Sequence, residues 1–163
     1  MLLGASPLRL SFAGGGTDLK EYYENFEGSV VSTAINHFTY VIVTPRQDNS
    51  FQVFSSDFQV HFKPTKYNEL KSEHGTELAV TVVKSLDFQR GANLMINSEV
   101  APGSWLGASS SLAVNLVKTI SILKKEKMNN EEIAENAYDI GRNKLNWFIG
   151  KQDEYISAFG GFN

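Results

Sequence analysis

Hydrophobic and polar positions alternate through Leu8-Arg9-Leu10-Ser11-Phe12, and the run breaks on three glycines, Gly14-Gly15-Gly16. Alternation with a period of two predicts a half-buried strand. Phe38-Thr39-Tyr40-Val41-Ile42-Val43 is β-branched and aromatic and predicts a second. Phe51-Gln52-Val53-Phe54 and Phe58-Gln59-Val60-His61-Phe62 alternate on either side of Ser55-Ser56-Asp57, which predicts a hairpin. The period then changes. Leu78, Val82, Val83 and Leu86 share one face of a helix, with Thr76 placed to cap it. Leu94 and Ile96 predict a further short strand, which leads into the small-residue loop Ala101-Pro102-Gly103-Ser104-Trp105-Leu106-Gly107-Ala108-Ser109-Ser110-Ser111. Behind that loop Leu112, Leu116, Ile120 and Leu123 form a helical stripe. Asn129 and Glu132 have the spacing of a capping box and open another helix carrying Ile133, Ala137 and Ile140.

Composition narrows the class. The chain has 163 residues, 42% of them hydrophobic and 20% charged, which suits one soluble globular domain. No apolar run is long enough to span a membrane, and the N-terminus does not resemble a signal peptide. The absence of cysteine excludes disulfides, a thiol nucleophile and a thiolate zinc site, and makes the cytoplasm the default compartment. A net charge of −3 argues against a general nucleic-acid binder. The chain ends on Phe159-Gly160-Gly161-Phe162-Asn163, apolar and glycine-rich, an ending that suits the middle of a fold and suggests a fragment.

Three segments could carry chemistry. In the strand–loop–helix from Met95 to Lys125, small residues allow backbone N–H groups to approach an anion at the positive end of a helix. Its three serines could cap the helix, bind a phosphate oxygen or hold magnesium. The segment is neither a Walker loop nor a dinucleotide fingerprint, and a plain serine-capped turn would carry the same pattern. In the second segment Arg9 precedes Gly14-Gly15-Gly16-Thr17-Asp18. The glycines permit close approach of a ligand, Arg9 could pair with a phosphate and Asp18 could accept bonds from sugar hydroxyls. A tight turn with Asp18 capping a helix at Leu19–Tyr23 fits equally well. The third segment, Gly150-Lys151-Gln152-Asp153-Glu154-Tyr155, offers a carboxylate as base for a hydroxyl nucleophile, or else a solvated helix start. His37, His61 and His74 have no metal-ligand spacing and read as structural or surface residues.

Taken in order, the three segments resemble the GHMP kinase superfamily over essentially the whole chain. The resemblance is strongest to its D-glycero-D-manno-heptose 7-phosphate kinase branch, through Pro7 to Asp18 and through Gly150-Lys151-Gln152-Asp153 to Ala158-Phe159-Gly160-Gly161-Phe162-Asn163. It implies an α+β fold of the ribosomal-protein-S5 domain-2 type, with a mixed sheet packed against helices. It also implies that residues 1–163 are an N-terminal ATP-binding domain whose C-terminal partner domain is absent here. On that resemblance Pro102, Gly103, Ser104, Leu106, Gly107, Ala108, Ser109, Ser110 and Ser111 wrap the phosphates of ATP, and Ser109 helps hold Mg2+. Asp153 orients or deprotonates the accepting hydroxyl, with Arg9 near the transferred phosphate. Gly15, Gly16, Thr17 and Asp18 contact the sugar.

Two positions depart from the superfamily's pattern. Trp105 stands where a small glycine is usual, so the loop must bend around the ring or swing it outward. Gly141 stands where a magnesium-binding glutamate is usual, and Asp139, two residues away, would point to a different helix face. The leading expectation is a sugar kinase domain acting on a sugar or sugar phosphate, with no nucleic-acid or membrane partner. If its other half is missing, an exposed apolar face should promote self-association. A degenerate nucleotide-binding module is the second reading. An RNA-contacting protein is a third, opposed by the acidic balance and by the lack of a basic stripe interleaved with aromatics.

Overall fold

The computed structural model describes residues 1–61 and 63–163, so Phe62, read above as the end of a hairpin strand, lies outside the described residues. β1 (Leu2–Ala13) and β2 (Val31–Pro45) form a long antiparallel pair, joined by the glycine turn and a one-turn helix, α1 (Lys20–Tyr23). Three shorter strands follow: β3 (Ser50–Ser55), β4 (Val60–His61) and β5 (Thr65–Lys66). The rest of the chain forms α2 (Glu77–Ser85), β6 (Ala92–Ser98), α3 (Ala108–Lys124), α4 (Asn130–Asp139) and α5 (Gln152–Phe159). α4 runs directly into a wider π-type turn over Ile140–Lys144.

The sheet order is β1-β2-β6-β3-β4, with β5 also paired to β3. β3 and β6 are parallel and the remaining pairs antiparallel. This is the expected α+β architecture, a mixed sheet packed against helices. In β2 Thr39, Val41 and Val43 are buried, whereas Tyr40 and Ile42 between them are only half-buried, so one face of the sheet points into the core. Phe51, Val53, Leu94 and Ile96 join that face and share a core with Val82, Val83, Leu116 and Ile120 of α2 and α3. At the crossing of β1 over α3 a Cβ on Gly4 would stand 2.2 Å from Asn115 Oδ1, so only glycine fits. The buried Asn115 is satisfied there: its amide donates to Thr39 O at 2.8 Å and its oxygen accepts from Thr119 Oγ1 at 3.2 Å.

Local chemistry explains the helix starts. Both bonds of the Asn129–Glu132 capping box are present. Thr76 occupies the cap position of α2, but its hydroxyl donates to Glu73 O at 2.8 Å and does not cap the helix. The hairpin turns over Ser56–Gln59, one residue later than the sequence pattern suggests, with Gln59 at φ +52°. The β1–β2 ladder changes register between Pro7 and Arg9. Pro7 has no N–H to extend the ladder, and beyond it Arg9 N donates to Leu106 O at 3.1 Å. That break ties the middle of β1 to the loop in front of α3.

Candidate active site

Arg9 is the hub of the site. Its Nε donates to Asp153 Oδ1 at 2.7 Å and its Nη2 to Oδ2 at 2.9 Å, a two-pronged charge-assisted pair across 144 residues of sequence. The remaining prong, Nη1, donates to Trp105 O at 2.6 Å. Gly107 packs against both partners: a Cβ there would lie 3.0 Å from Asp153 Oδ2 and 3.4 Å from Arg9 Cγ. Gly107 is also the N-cap of α3, at φ +75°, and no side chain caps the helix. The first amides of a 17-residue helix therefore open beside the Arg9–Asp153 pair, where they can receive an anion.

The loop residues divide by position. Pro102, Gly103, Ser104, Gly107, Ala108 and Ser109 line a cleft of about 440 Å³, together with Arg9 and Asp153. Leu106 serves through its carbonyl on Arg9 N. Ser110 and Ser111 are buried beneath the helix start. The Ser111 hydroxyl donates to Ser6 O at 3.0 Å and lies 2.9 Å from Thr39 Oγ1, which makes it part of the core. Trp105 takes the second of the two courses open to it: its side chain swings outward, 90% exposed, at φ +60°.

The glycine turn after β1 closes on α5. Asp18 Oδ1 accepts from Gly16 N and Oδ2 from Gln152 N, both at 2.9 Å, so Asp18 caps α5 and not the short helix next to it. Gly150 makes room for it, since a Cβ there would fall 2.0 Å from Asp18 Oδ2. Thr17 Oγ1 donates to Gly14 O at 2.8 Å and accepts from Ser29 N at 3.0 Å, while Gly15 and Gly16 stay exposed. The turn thus stands beside the first turn of α5, and the charges of Asp18 and Asp153 interact. Burial raises the Asp153 carboxyl above its ordinary range, Arg9 pulls it down, and Asp18 raises it further.

Several residues that line or support the site are not apparent from sequence spacing. Phe58, Leu78, Ile96, Leu112, Trp147 and Ile149 give the cleft apolar walls suited to a flat heteroaromatic group. Gln152 is buried under the glycine turn, with its Oε1 3.3 Å from Ser11 Oγ. Glu154, one residue beyond Asp153, is 1% exposed.

The donors present do not make a resident magnesium site. Among the described residues no three His, Cys, Asp or Glu side chains come together. Asp153 commits both oxygens to Arg9. At Gly141 a Cβ would meet Ile149 Cδ1 at 2.6 Å and Trp147 Cε3 at 3.3 Å, so the wall on that side is apolar. Asp139 faces its own helix, bonded to Asn143 Nδ2 at 2.7 Å. The Ser109 hydroxyl is the one expected metal ligand left at the helix start.

Comparison with known proteins agrees with this architecture. Residues 73–161, more than half of the chain, match the family model of the GHMP kinases N-terminal domain. A D-glycero-alpha-D-manno-heptose 7-phosphate kinase from Campylobacter jejuni is 32% identical over 97% of this chain and 48% of its own length. A galactokinase from Chloroflexus aurantiacus is 30% identical over 96% of this chain and 42% of its own. The crystal structure of a D-glycero-D-manno-heptose 1-phosphate kinase from Bacteroides thetaiotaomicron superposes with a TM-score of 0.93 at 26% identity, covering 100% of this chain and 55% of that one. A mevalonate kinase shares the fold at a TM-score of 0.83 and 17% identity. The chain spans about half the length of the curated relatives it matches. It belongs to the GHMP kinases and corresponds to their N-terminal domain.

Proposed function

We propose that this domain is the N-terminal half of an ATP-dependent sugar kinase that phosphorylates a hydroxyl of a sugar or sugar phosphate. The acceptor class follows the heptose 7-phosphate kinase it resembles. The observation that carries the reading is the Arg9–Asp153 pair set against Gly107, at the uncapped start of α3. ATP lays its base against the apolar walls and its phosphates on the loop from Pro102 to Ser109 and the first amides of α3. Magnesium enters as part of the nucleotide substrate, held by the phosphates. Asp18 and the exposed Gly15 and Gly16 bound the acceptor's side, where Thr17 fixes the turn.

The acceptor oxygen bonds to the γ-phosphorus as that phosphorus parts from the bridging oxygen, which leaves with ADP. The acceptor's proton passes to Asp153. Burial favours the protonated state of that carboxyl, and Arg9 holds it in place before the transfer. The test is a coupled ADP assay on the complete protein that carries this chain, with heptose 7-phosphate as first acceptor. Asp153→Asn should lower kcat by at least about 100-fold while leaving ATP affinity within about threefold. Loss of ATP binding in that variant refutes the assignment. Gly141 and Trp105 favour a second reading, a nucleotide-binding module with little catalysis. ATP binding without ADP formation in the complete protein would establish it.

A further inference from the structure

Glu154 is the anomaly of the site. It lies on α5, 1% exposed, and its Oε2 has no hydrogen-bond partner. Its carboxyl sits against the first turn of α3, where the Ser110 hydroxyl gives some stabilisation to its charge. Among the described residues no basic side chain adds to that stabilisation. On β1, Arg9 is committed to Asp153, and on β2, His37 is committed to Glu99. On α4, Glu135 is committed to Lys151 and Tyr155. The first two turns of α3, Ala108 to Asn115, contain no charged residue. The charges that act on Glu154 are carboxylates, Asp153 on its own helix and Asp18 from the glycine turn, and both oppose its ionisation. A buried charge without a counterion is costly enough that the group stays neutral.

We propose that Glu154 is a positioning residue whose neutral carboxyl keeps the start of α3 receptive to phosphate, and whose ionisation turns that end of the cleft against an anion. As a neutral group it fills the space between α5 and α3 without competing for the positive end of the helix. Once ionised it becomes a third carboxylate beside Asp153 and Asp18, under the amides that would receive the phosphates. Burial pushes its pKa up to about 8, so the change falls within an accessible range. Taking ATP as the anion rests on the function proposed above.

The test is ATP binding to the 163-residue chain, followed by the emission of Trp105 and Trp147, the chain's two tryptophans, both on the cleft. In wild type, affinity should fall at least about tenfold between about pH 7 and pH 9.5, and in Glu154→Gln by less than about threefold. Equal pH dependence in the two proteins, or none in wild type, overturns the proposal. If ATP binds neither protein at any pH, the inference is decided without ligand, and the function reading is decided by the assay on the complete protein. Carbon NMR of the Glu154 carboxyl should then titrate near 8, with the amides of Ser110 and Ser111 shifting in step. A midpoint in the ordinary carboxylate range, or amides that do not follow it, overturns the inference.

Discussion

Replacing Glu154 by glutamine should stabilise the chain, by an amount that depends on pH in a defined way. The folded protein holds the carboxyl protonated up to about 8, whereas the ordinary value is 4.5. Between those values the unfolded chain has released a proton that the folded chain keeps, so stability falls as pH rises through the window. Each tenfold step in proton affinity is worth about 1.4 kcal/mol. At neutral pH, two and a half steps above 4.5, the penalty is about 3 kcal/mol, and above 8 it levels off near 5 kcal/mol once both states are ionised. Glutamine keeps the shape and removes the charge. Asp153 is also raised and contributes with the same sign, but it is present in both proteins and cancels in the difference. The assay is urea unfolding followed by tryptophan emission at about pH 5, 7 and 9. The two proteins should differ by less than about 1 kcal/mol at the lowest pH and diverge steadily above it. Parallel stability curves would refute the reasoning, because they would mean that the folded and unfolded carboxyls titrate alike.

Two substitutions probe the backbone around the site. Trp105→Gly should raise stability by about 0.5–1 kcal/mol in urea unfolding, since it relieves a left-handed backbone at φ +60° while an outward ring loses little packing. Gly150→Ala should lower stability by about 2 kcal/mol, because its Cβ would fall on the Asp18 carboxylate and break the bond to Gln152 N; an unchanged unfolding midpoint would contradict the cap.

The parts of this fold that could be read from sequence are those governed by local chemistry. The alternation of Phe51–Phe54, the stripe of α3 and the capping box at Asn129 each specify their element within a few residues. β2 could be read only over Phe38–Val43, although it runs from Val31 to Pro45. Its first half is held by partners far away in sequence, β1 on one side and Gly161–Asn163 on the other. Ser32 N donates to Asn163 O at 2.9 Å and Ala34 N to Gly161 O at 2.7 Å. Spacing alone could not bring Arg9 to Asp153; the family resemblance implies that both belong to one site, and their pairing is visible only in the structure. Glu154 was hidden by its neighbours. An Asp-Glu pair near a helix start looks solvated, yet Ser157 and Ala158, three and four residues on, mark its face as the packed one.

The two departures from the family pattern have different physical standing. Trp105 is a local exception: the ring turns into solvent, and the Trp105 carbonyl receives Arg9. Gly141 belongs to an apolar wall. Trp147 N donates to Gly141 O at 2.9 Å, and Ile149 and Trp147 occupy the space in which a side chain at 141 would begin. A larger side chain at 141 would have to displace the end of the Ile149 side chain and press on the Trp147 ring. With an apolar wall at Gly141 and Asp153 engaged by Arg9, the negative charge near the helix start comes from Asp18 and from whatever fraction of Glu154 is ionised. The buried glutamate that sequence reading would pass over therefore sets the balance of charge that an incoming phosphate meets.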